Sequence, residues 1–106
     1  MKRLIRPMIA RLGFYRQYPD LGASHLHLLE VIGIHEVQDQ HLSVTKAMKL
    51  KDVASPATIH RLIDALEFHD LVRRVTDPYD IRVRYLHLGS KGTAYFKKLD
   101  KALEMS

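Results

Sequence analysis

The stretch from Ser55 to Leu71 constrains the fold of this chain more than any other segment, because it carries a complete set of helix signals. Ser55 can accept hydrogen bonds from the first free N–H groups of a helix, and Pro56 stands where a missing N–H costs nothing. Apolar residues then recur at helical spacing, at Ile59, Leu62, Ile63 and Leu66. We therefore predict a helix over residues 55–70 that buries one face.

The opposite face of this helix carries short polar side chains and one arginine: Ala57, Thr58, His60, Arg61 and Asp64. Small residues with a bidentate donor near a helix N-terminus suit insertion into a DNA major groove. The same pattern is also typical of an ordinary amphipathic surface helix. The segments that flank the helix separate these two interpretations.

Composition limits the class of protein. A chain of 106 residues predicts one domain, residues 1–106, and 46% hydrophobic with 27% charged residues is typical of a folded soluble protein. The absence of cysteine excludes disulfides, zinc–thiolate sites and thiol redox switches. A net charge of +5 favours polyanionic partners, although many small basic proteins never bind nucleic acid.

The N-terminal segment, residues 1–20, predicts a helix over residues 3–17, with Pro7 as an alternative start. Its apolar residues share one face, at Leu4, Ile5, Met8, Ile9, Leu12 and Tyr15. That face either packs on its own domain or pairs with the same helix of a second subunit. A membrane surface is the weaker alternative, because the segment has no tryptophan.

The N-terminal segment does not fit the pattern of a secretory signal or a membrane span. No apolar run reaches membrane-spanning length, and Arg6, Pro7 and Arg11 interrupt a secretory signal. The composition leaves an organellar transit peptide open. We expect a cytoplasmic, nucleoid-associated protein with no membrane partner.

Two further helices are predicted before the opening stretch. Turn chemistry at residues 18–22 precedes a helix over 23–38, whose inner side carries Leu26, Leu29, Ile32 or Val31, and His35. Ser43 is the expected N-cap of a short third helix with Val44, Ala47 and Met48 facing inward. A short helix, a tight turn and a longer helix form the helix-turn-helix arrangement.

After Leu71 the hydrophobic period falls to about 2, which predicts a β-hairpin. Its strands are residues 72–76 and 82–88, and the turn between them is Asp77-Pro78-Tyr79-Asp80. Four arginines mark this hairpin, at Arg73, Arg74, Arg82 and Arg84. Because neighbouring strand residues point to opposite faces, we expect Arg73 or Arg74 to pair within the protein or to mark a bulge.

Residues 91–104 predict a last helix, with Ala94, Tyr95, Leu99 and Leu103 facing inward. A helix-turn-helix followed by a hairpin is a winged helix, so the expected fold class is mainly α with a small antiparallel β-hairpin (α+β). The core is residues 22–88, flanked by helices in 1–20 and 90–106. Between residues 46 and 98 eleven lysines and arginines face six acids, so the excess charge lies on this motif.

The ordered set of motifs resembles the MarR family of winged-helix transcription regulators over about two-thirds of the chain, from Gly22 to Gly92. The matching segments are Ser-Pro-Ala-Thr-Ile-His-Arg-Leu-Ile-Asp-Ala-Leu-Glu (55–67), Leu71-Val72-Arg73-Arg74, Asp77-Pro78-Tyr79-Asp80-Ile81-Arg82, and Leu88 to Gly92. The resemblance implies that the helix over 55–70 reads the major groove. It also implies that Arg82 enters the minor groove and that Asp80 orients it through a salt bridge.

The sequence departs from the family pattern at four places. Ile81 stands where a second wing arginine is common in the family. Asp70 stands where the family usually has glycine, and aspartate tolerates the left-handed conformation less readily than glycine does. Gly89 replaces a capping threonine, so Ser90 is the expected cap. The sequence also stops after one C-terminal helix where the family continues. The homodimer that the resemblance implies would then use the N-terminal helix and residues 91–104.

The candidate DNA-contacting residues lie on the helix, before it and on the wing: Ser55, Ala57, Thr58, His60, Arg61, Lys51, Tyr79, Arg82 and Arg84, with Asp80 as the wing-orienting residue. Arg61 is the candidate base reader; the alternative is a solvated arginine, or one paired with Asp64 or Glu67. Ser55 and Thr58 fit caps and phosphate contacts better than sequence readout. His60 fits either role.

Neither catalysis nor metal binding is expected. His25 and His27 fall on different sides of a helix, and no histidine pair at i, i+4 has a carboxylate third ligand. The sequence has no glycine-rich phosphate loop and no nucleophile with a partnered base. We expect no enzyme activity, no metal and no cofactor.

Three functions remain. The leading hypothesis is a sequence-specific, double-stranded DNA-binding transcriptional regulator that acts as a dimer, with helix 55–70 in the major groove and wing 77–84 at the minor groove. The alternatives are a winged-helix protein-interaction adaptor and a nucleic-acid binder of low specificity. A small-molecule effector is open, with no support in the sequence.

Overall fold

The computed structural model describes residues 2–104, and their side chains from residue 4 onward. Residues 1, 105 and 106 of the predicted terminal segments lie outside this range. The helices are α1 (Lys2–Gln17), α2 (Ala23–Val37), α3 (Val44–Ala47), α4 (Pro56–Phe68) and α5 (Ser90–Glu104). The strands are β1 (Leu42–Ser43), β2 (Val72–Thr76) and β3 (Arg84–Leu88). The predicted fold class is confirmed.

The sheet is antiparallel, with β3 between β1 and β2. Val75 of β2 lies opposite Tyr85, and Leu42 of β1 lies opposite Leu86. The short strand β1 was not predicted, because two residues are too few to show a period of two. The strand predicted to start at residue 82 starts at Arg84 instead, since the backbone N–H of Val83 closes a turn onto the carbonyl of Asp80.

Helix α4 forms as its local sequence predicts. The Ser55 hydroxyl accepts a hydrogen bond from the backbone N–H of Thr58 at 3.4 Å, and Pro56 opens the helix. The four apolar residues of the predicted stripe are buried: Ile59, Leu62, Ile63 and Leu66. The helix ends where Asp70 adopts the left-handed conformation, with φ of 56°. The exposed face of α4 is therefore fixed by burial of the opposite face.

Helix α1 presents a different face to the core than the sequence predicted. Its predicted stripe is exposed apart from the half-buried Tyr15: Leu4, Ile5, Met8, Ile9 and Leu12. Ala10, Phe14 and Tyr18 are buried instead, and the Phe14 ring lies 5.2 Å from that of Tyr95 on α5. Packing of the stripe on its own domain is thus wrong, because the aromatic pair occupies the contact. A start at Pro7 is also wrong, since Pro7 lies inside the helix.

Helix α2 is the central helix and packs against α4 and the sheet. Leu26, Leu29 and Ile32 are buried as predicted, while His35 is half-buried. Leu28 is also fully buried, which a single predicted stripe does not allow for. An element that is covered on two sides buries residues outside one helical stripe.

Helix α5 matches its prediction in part. Tyr95 is buried and Leu99 is half-buried, but Ala94 and Leu103 are exposed, so their predicted inward orientation is wrong. Ser90 is not a cap: it is the first helical residue, and its hydroxyl accepts a hydrogen bond from Arg73 at 2.7 Å. A side chain at position 89 has no room, since a Cβ there would lie 2.2 Å from the Asp70 carbonyl oxygen.

One apolar cluster joins α1, α2, α4, α5 and the sheet, with Leu28, Ile63, Leu71 and Leu86 fully buried within it. Within residues 2–104 no helix combines the length and the hydropathy that a membrane span requires.

Candidate nucleic-acid interface

The first half of α4 presents an uninterrupted solvent face. Ala57, Thr58, His60 and Arg61 are all exposed. Ser55 is also exposed, and its hydroxyl donates to the Thr58 hydroxyl at 3.0 Å while it caps the helix. The two hydroxyls are therefore linked at the helix N-terminus, where the helix dipole attracts anions. His60 Nδ1 lies 3.6 Å from Asp64 Oδ2, which is beyond a good hydrogen bond.

Arg61 is left available by the pairing of its neighbours. Arg74 Nη2 donates to Asp64 Oδ1 at 2.6 Å, and Arg74 Nε lies 3.9 Å from Glu67 Oε2. The hydrogen bond from Arg74 holds the pKa of Asp64 below its usual range. Among the side chains of residues 4–104, Arg61 makes no ion pair. The alternative in which Arg61 pairs with Asp64 or Glu67 is therefore absent from this structure.

The wing is built on two aspartates. Asp77 Oδ1 accepts from the backbone N–H groups of Tyr79 and Asp80 at 2.7 and 3.2 Å. Asp80 accepts from Arg82 three times, from its backbone N–H at 3.0 Å, Nε at 3.1 Å and Nη2 at 3.2 Å. These bonds hold the pKa of Asp80 below its usual range. The Arg82 side chain is nevertheless 87% exposed, so the pair orients the guanidinium without burying it.

The remaining candidates lie around this wing and before α4. Tyr79 at the wing tip is 97% exposed, and Arg84 is exposed at the start of β3. Lys51 is exposed in the turn between α3 and α4. Neither Lys51 nor Arg84 forms an ion pair with the part of the chain that the structure describes. The structure thus exposes all the predicted contact residues, on α4, on the wing and in the preceding turn.

The other two hairpin arginines are structural. Arg73 donates to Asp70 at 3.1 Å and to the Ser90 hydroxyl, and so links the end of α4 to α5. Arg74 is largely buried against Asp64, as described above. The expectation that at least one of them pairs within the protein is confirmed, and both do. Arg73 and Arg74 therefore link β2 to α4 and α5, although Arg73 is itself exposed, whereas Arg82 and Arg84 are exposed on the wing.

One cluster of potential metal-ligating side chains is not evident from the sequence. Glu36 of α2, His41 before β1 and His87 of β3 bring three ligand atoms within 4.8 Å of one another. Burial, and to a lesser extent the neighbouring His41, lower the pKa of His87 below its usual value. Separations of five and 46 residues match no local metal motif, so only the tertiary fold reveals this group.

Comparisons with known proteins find similarity in structure alone. No family model matches the sequence, and no curated protein does. The MepR–DNA complex of S. aureus matches at a TM-score of 0.70 with 21% identity, over 92% of this chain and 72% of the MepR chain. The transcriptional regulator Tm0710 of Thermotoga maritima matches at 0.67 with 17% identity, over 95% of this chain and 66% of its own.

The YusO protein of Bacillus subtilis matches at a TM-score of 0.62 with 18% identity, over 98% of this chain and 67% of its own. This chain spans about two-thirds of the length of the solved structures that it matches. In another MepR structure, for example, it covers 65% of the MepR chain. At these identities the likeness shows the fold, which is the winged-helix fold of MarR-family structures.

Proposed function

We propose that this protein is a sequence-specific, double-stranded DNA-binding transcriptional regulator. The single observation that carries the proposal is Arg61, which is exposed on the free face of α4 and forms no ion pair with the described side chains, while Arg74 donates to the neighbouring Asp64 at 2.6 Å. A guanidinium without an internal carboxylate partner can make the bidentate contact with guanine that dominates major-groove readout. We place α4 in the major groove on this basis.

The wing supplies the second contact in this proposal. Arg82 is held in one orientation by Asp80 and remains exposed, which reduces the conformational entropy lost when it contacts DNA. Cationic side chains on such a hairpin suit the narrow minor groove or the phosphates beside it. Residues 77–84 would therefore lie at the minor groove, with Lys51 and Arg84 at the backbone.

Similar solved structures support the same reading. MepR of S. aureus has been solved in a complex with DNA, and Tm0710 of Thermotoga maritima is a transcriptional regulator. Residues 46–98 carry a net charge of +5, with Lys46, Lys49 and Lys51 before α4 and Lys91, Lys97 and Lys98 on α5. We propose accordingly that the protein acts in the cytoplasm at the nucleoid, as a single domain without enzyme activity.

The proposed regulator is a homodimer. Five large apolar residues of α1 are between 48% and 65% exposed, and they form one stripe on the helix: Leu4, Ile5, Met8, Ile9 and Leu12. Soluble monomers rarely expose contiguous patches of this kind, so a second copy of α1 is the occupant we assign to it. Two copies would present two recognition helices to two half-sites.

The test is selection of bound fragments from a random duplex pool, followed by anisotropy titration of the selected and a scrambled duplex. Specific binding at half-sites predicts a recurrent motif and a gap of about 10³-fold or more in affinity. Equal affinity for every duplex would favour the low-specificity binder instead. No duplex binding, together with copurification of an acidic protein partner, would favour the adaptor.

A further inference from the structure

Three side chains from separate parts of the fold converge where the C-terminal end of α2 meets the sheet. His41 Nε2 lies 3.8 Å from Glu36 Oε1, and His87 Nδ1 lies 4.0 Å from the same oxygen. The two imidazole rings are stacked, with centroids 3.7 Å apart and planes inclined by 16°. One nitrogen of each ring therefore approaches the same carboxylate oxygen.

The carboxylate at the centre is held in place. Glu36 Oε1 accepts a hydrogen bond from the backbone N–H of Leu88 at 2.8 Å, which ties the end of α2 to β3. A carboxylate offers about four lone-pair sites, so this bond leaves capacity for another partner. All three side chains are between 26% and 32% exposed, which leaves them accessible from solvent while the surrounding backbone is fixed by packing.

We propose that Glu36, His41 and His87 form a binding site for a divalent transition-metal cation of the zinc class. Two imidazoles and one carboxylate are ligands that zinc accepts, and three protein ligands leave a fourth position open to water. The absence of cysteine from the chain disfavours a thiolate-dependent metal. This site lies outside the DNA-contacting residues and does not depend on the proposed function.

The distances between the three ligand atoms show how far the side chains must move to bind zinc. In a tetrahedral zinc site with bonds of about 2.0–2.1 Å, the ligand atoms lie about 3.3 Å apart. The separations from Glu36 Oε1 exceed this by several tenths of an ångström. The three ligand atoms lie within 4.8 Å of one another, so binding requires the two partly exposed rings to rotate out of their stack.

A cation held here would link three elements. Glu36 belongs to α2, His41 precedes β1, and His87 lies in β3, the central strand that continues into the wing. Because a ligand that binds the folded state alone stabilises that state, zinc is expected to raise the midpoint of thermal unfolding. The rise depends on free zinc concentration and is removed by a chelator.

The test is a zinc titration of the full chain in competition with a chromophoric chelator. We expect one zinc ion per chain, and affinity weaker by about tenfold or more in His41→Gln and in His87→Gln, since even outer partners of metal ligands matter by that factor. Glu36→Gln keeps an acceptor for the Leu88 N–H and should also weaken binding. His27→Gln, an exposed histidine on α2, is the matched control and should bind zinc normally.

Nuclear magnetic resonance of the wild-type imidazoles provides a reading that does not depend on any variant folding. Zinc should shift the ring signals of His41 and His87 and leave that of His27 unchanged. The proposal is overturned if the wild type takes up no zinc ion, if His41→Gln and His87→Gln bind zinc like the wild type, or if the shifts fall on other histidines.

Discussion

Arg74 pairs with an acidic residue of α4 and so affects which charged side chains of that helix remain unpaired. By donating to Asp64 at 2.6 Å, it engages a carboxylate that would otherwise compete for Arg61, while its Nε lies 3.9 Å from Glu67 without a hydrogen bond. The sequence alone could not assign these pairs, because Asp64 stands three residues from Arg61 and ten from Arg74. An arginine in β2 therefore leaves the arginine of α4 exposed, and that is the basis of the proposed readout.

Replacing Arg61 by alanine should weaken binding to the selected duplex by about 1–3 kcal/mol, the cost of one good bidentate base contact. Stability should change little, because the side chain is exposed. Anisotropy titration measures the affinity, and Arg16→Ala on α1 is the charge-matched control. Unchanged affinity in Arg61→Ala would remove Arg61 from the interface.

The Asp64–Arg74 pair should contribute to stability in a pH-dependent way. Because the folded state lowers the pKa of Asp64, its contribution is present above the unfolded pKa of about 3.9 and is lost as the pH falls through the folded value. Asp64→Asn should therefore lower the thermal midpoint at neutral pH, and its difference from the wild type should disappear in acid. Asp52→Asn, at an exposed residue, is the control. A difference that persists unchanged in acid would contradict the assignment.

At the level of elements, the sequence predicted the features that depend on neighbouring residues and missed those that depend on distant contacts. The Ser55 cap and the buried stripe of α4 follow from the residues beside them, whereas the left-handed position of Asp70 was implied by the family resemblance. The buried face of α1 does not, because the contact between Phe14 and Tyr95 joins residues 81 positions apart in sequence. The same holds for Glu36, His41 and His87.

Two glycines also show how contacts with residues distant in sequence decide whether a side chain fits. A Cβ at Gly92 would lie 2.2 Å from the Leu71 carbonyl oxygen, whereas a Cβ at Gly13 of α1 would meet nothing within 4 Å. Gly92→Ala should therefore destabilise the fold by about 1–3 kcal/mol, as overpacking does. Gly13→Ala, the matched control, should stabilise α1 by about 0.5–1 kcal/mol. Thermal denaturation measures both, and equal effects at the two positions would contradict the packing of α5 on the end of α4.

On the scale of the whole molecule, the helix faces that remain exposed indicate assembly. The molecule extends 46 Å along its longest axis and 25 Å across, and the apolar stripe of α1 is exposed on it. The sequence predicted that these residues share a face and left packing and pairing as the favoured alternatives, with a membrane surface as the weaker one. The stripe is exposed within the described chain, so packing on its own domain is excluded. The proposed dimer therefore rests on pairing with α1 of a second copy.

Sedimentation equilibrium of this 12.3 kDa chain should give a mass of about twice that value, since burial of each large apolar side chain contributes about 1.5–3 kcal/mol. Ile9→Glu should shift the equilibrium to the monomer, because a charge would be buried in the pair. Val37→Glu, at an 87% exposed position of α2, is the control and should leave the dimer intact. A wild-type monomer at high concentration would contradict this assembly.

The most direct test of the central claim, that the face formed by α4 and the wing binds duplex DNA, is the salt dependence of affinity for the selected duplex. The logarithm of the association constant should fall linearly with the logarithm of salt concentration, by about 0.9 for each neutralised phosphate. Lys51→Ala should make the slope shallower by about 0.9, whereas Lys101→Ala on α5 should not change it. Affinity that does not depend on salt, or a slope that Lys101→Ala alters and Lys51→Ala does not, would contradict the account.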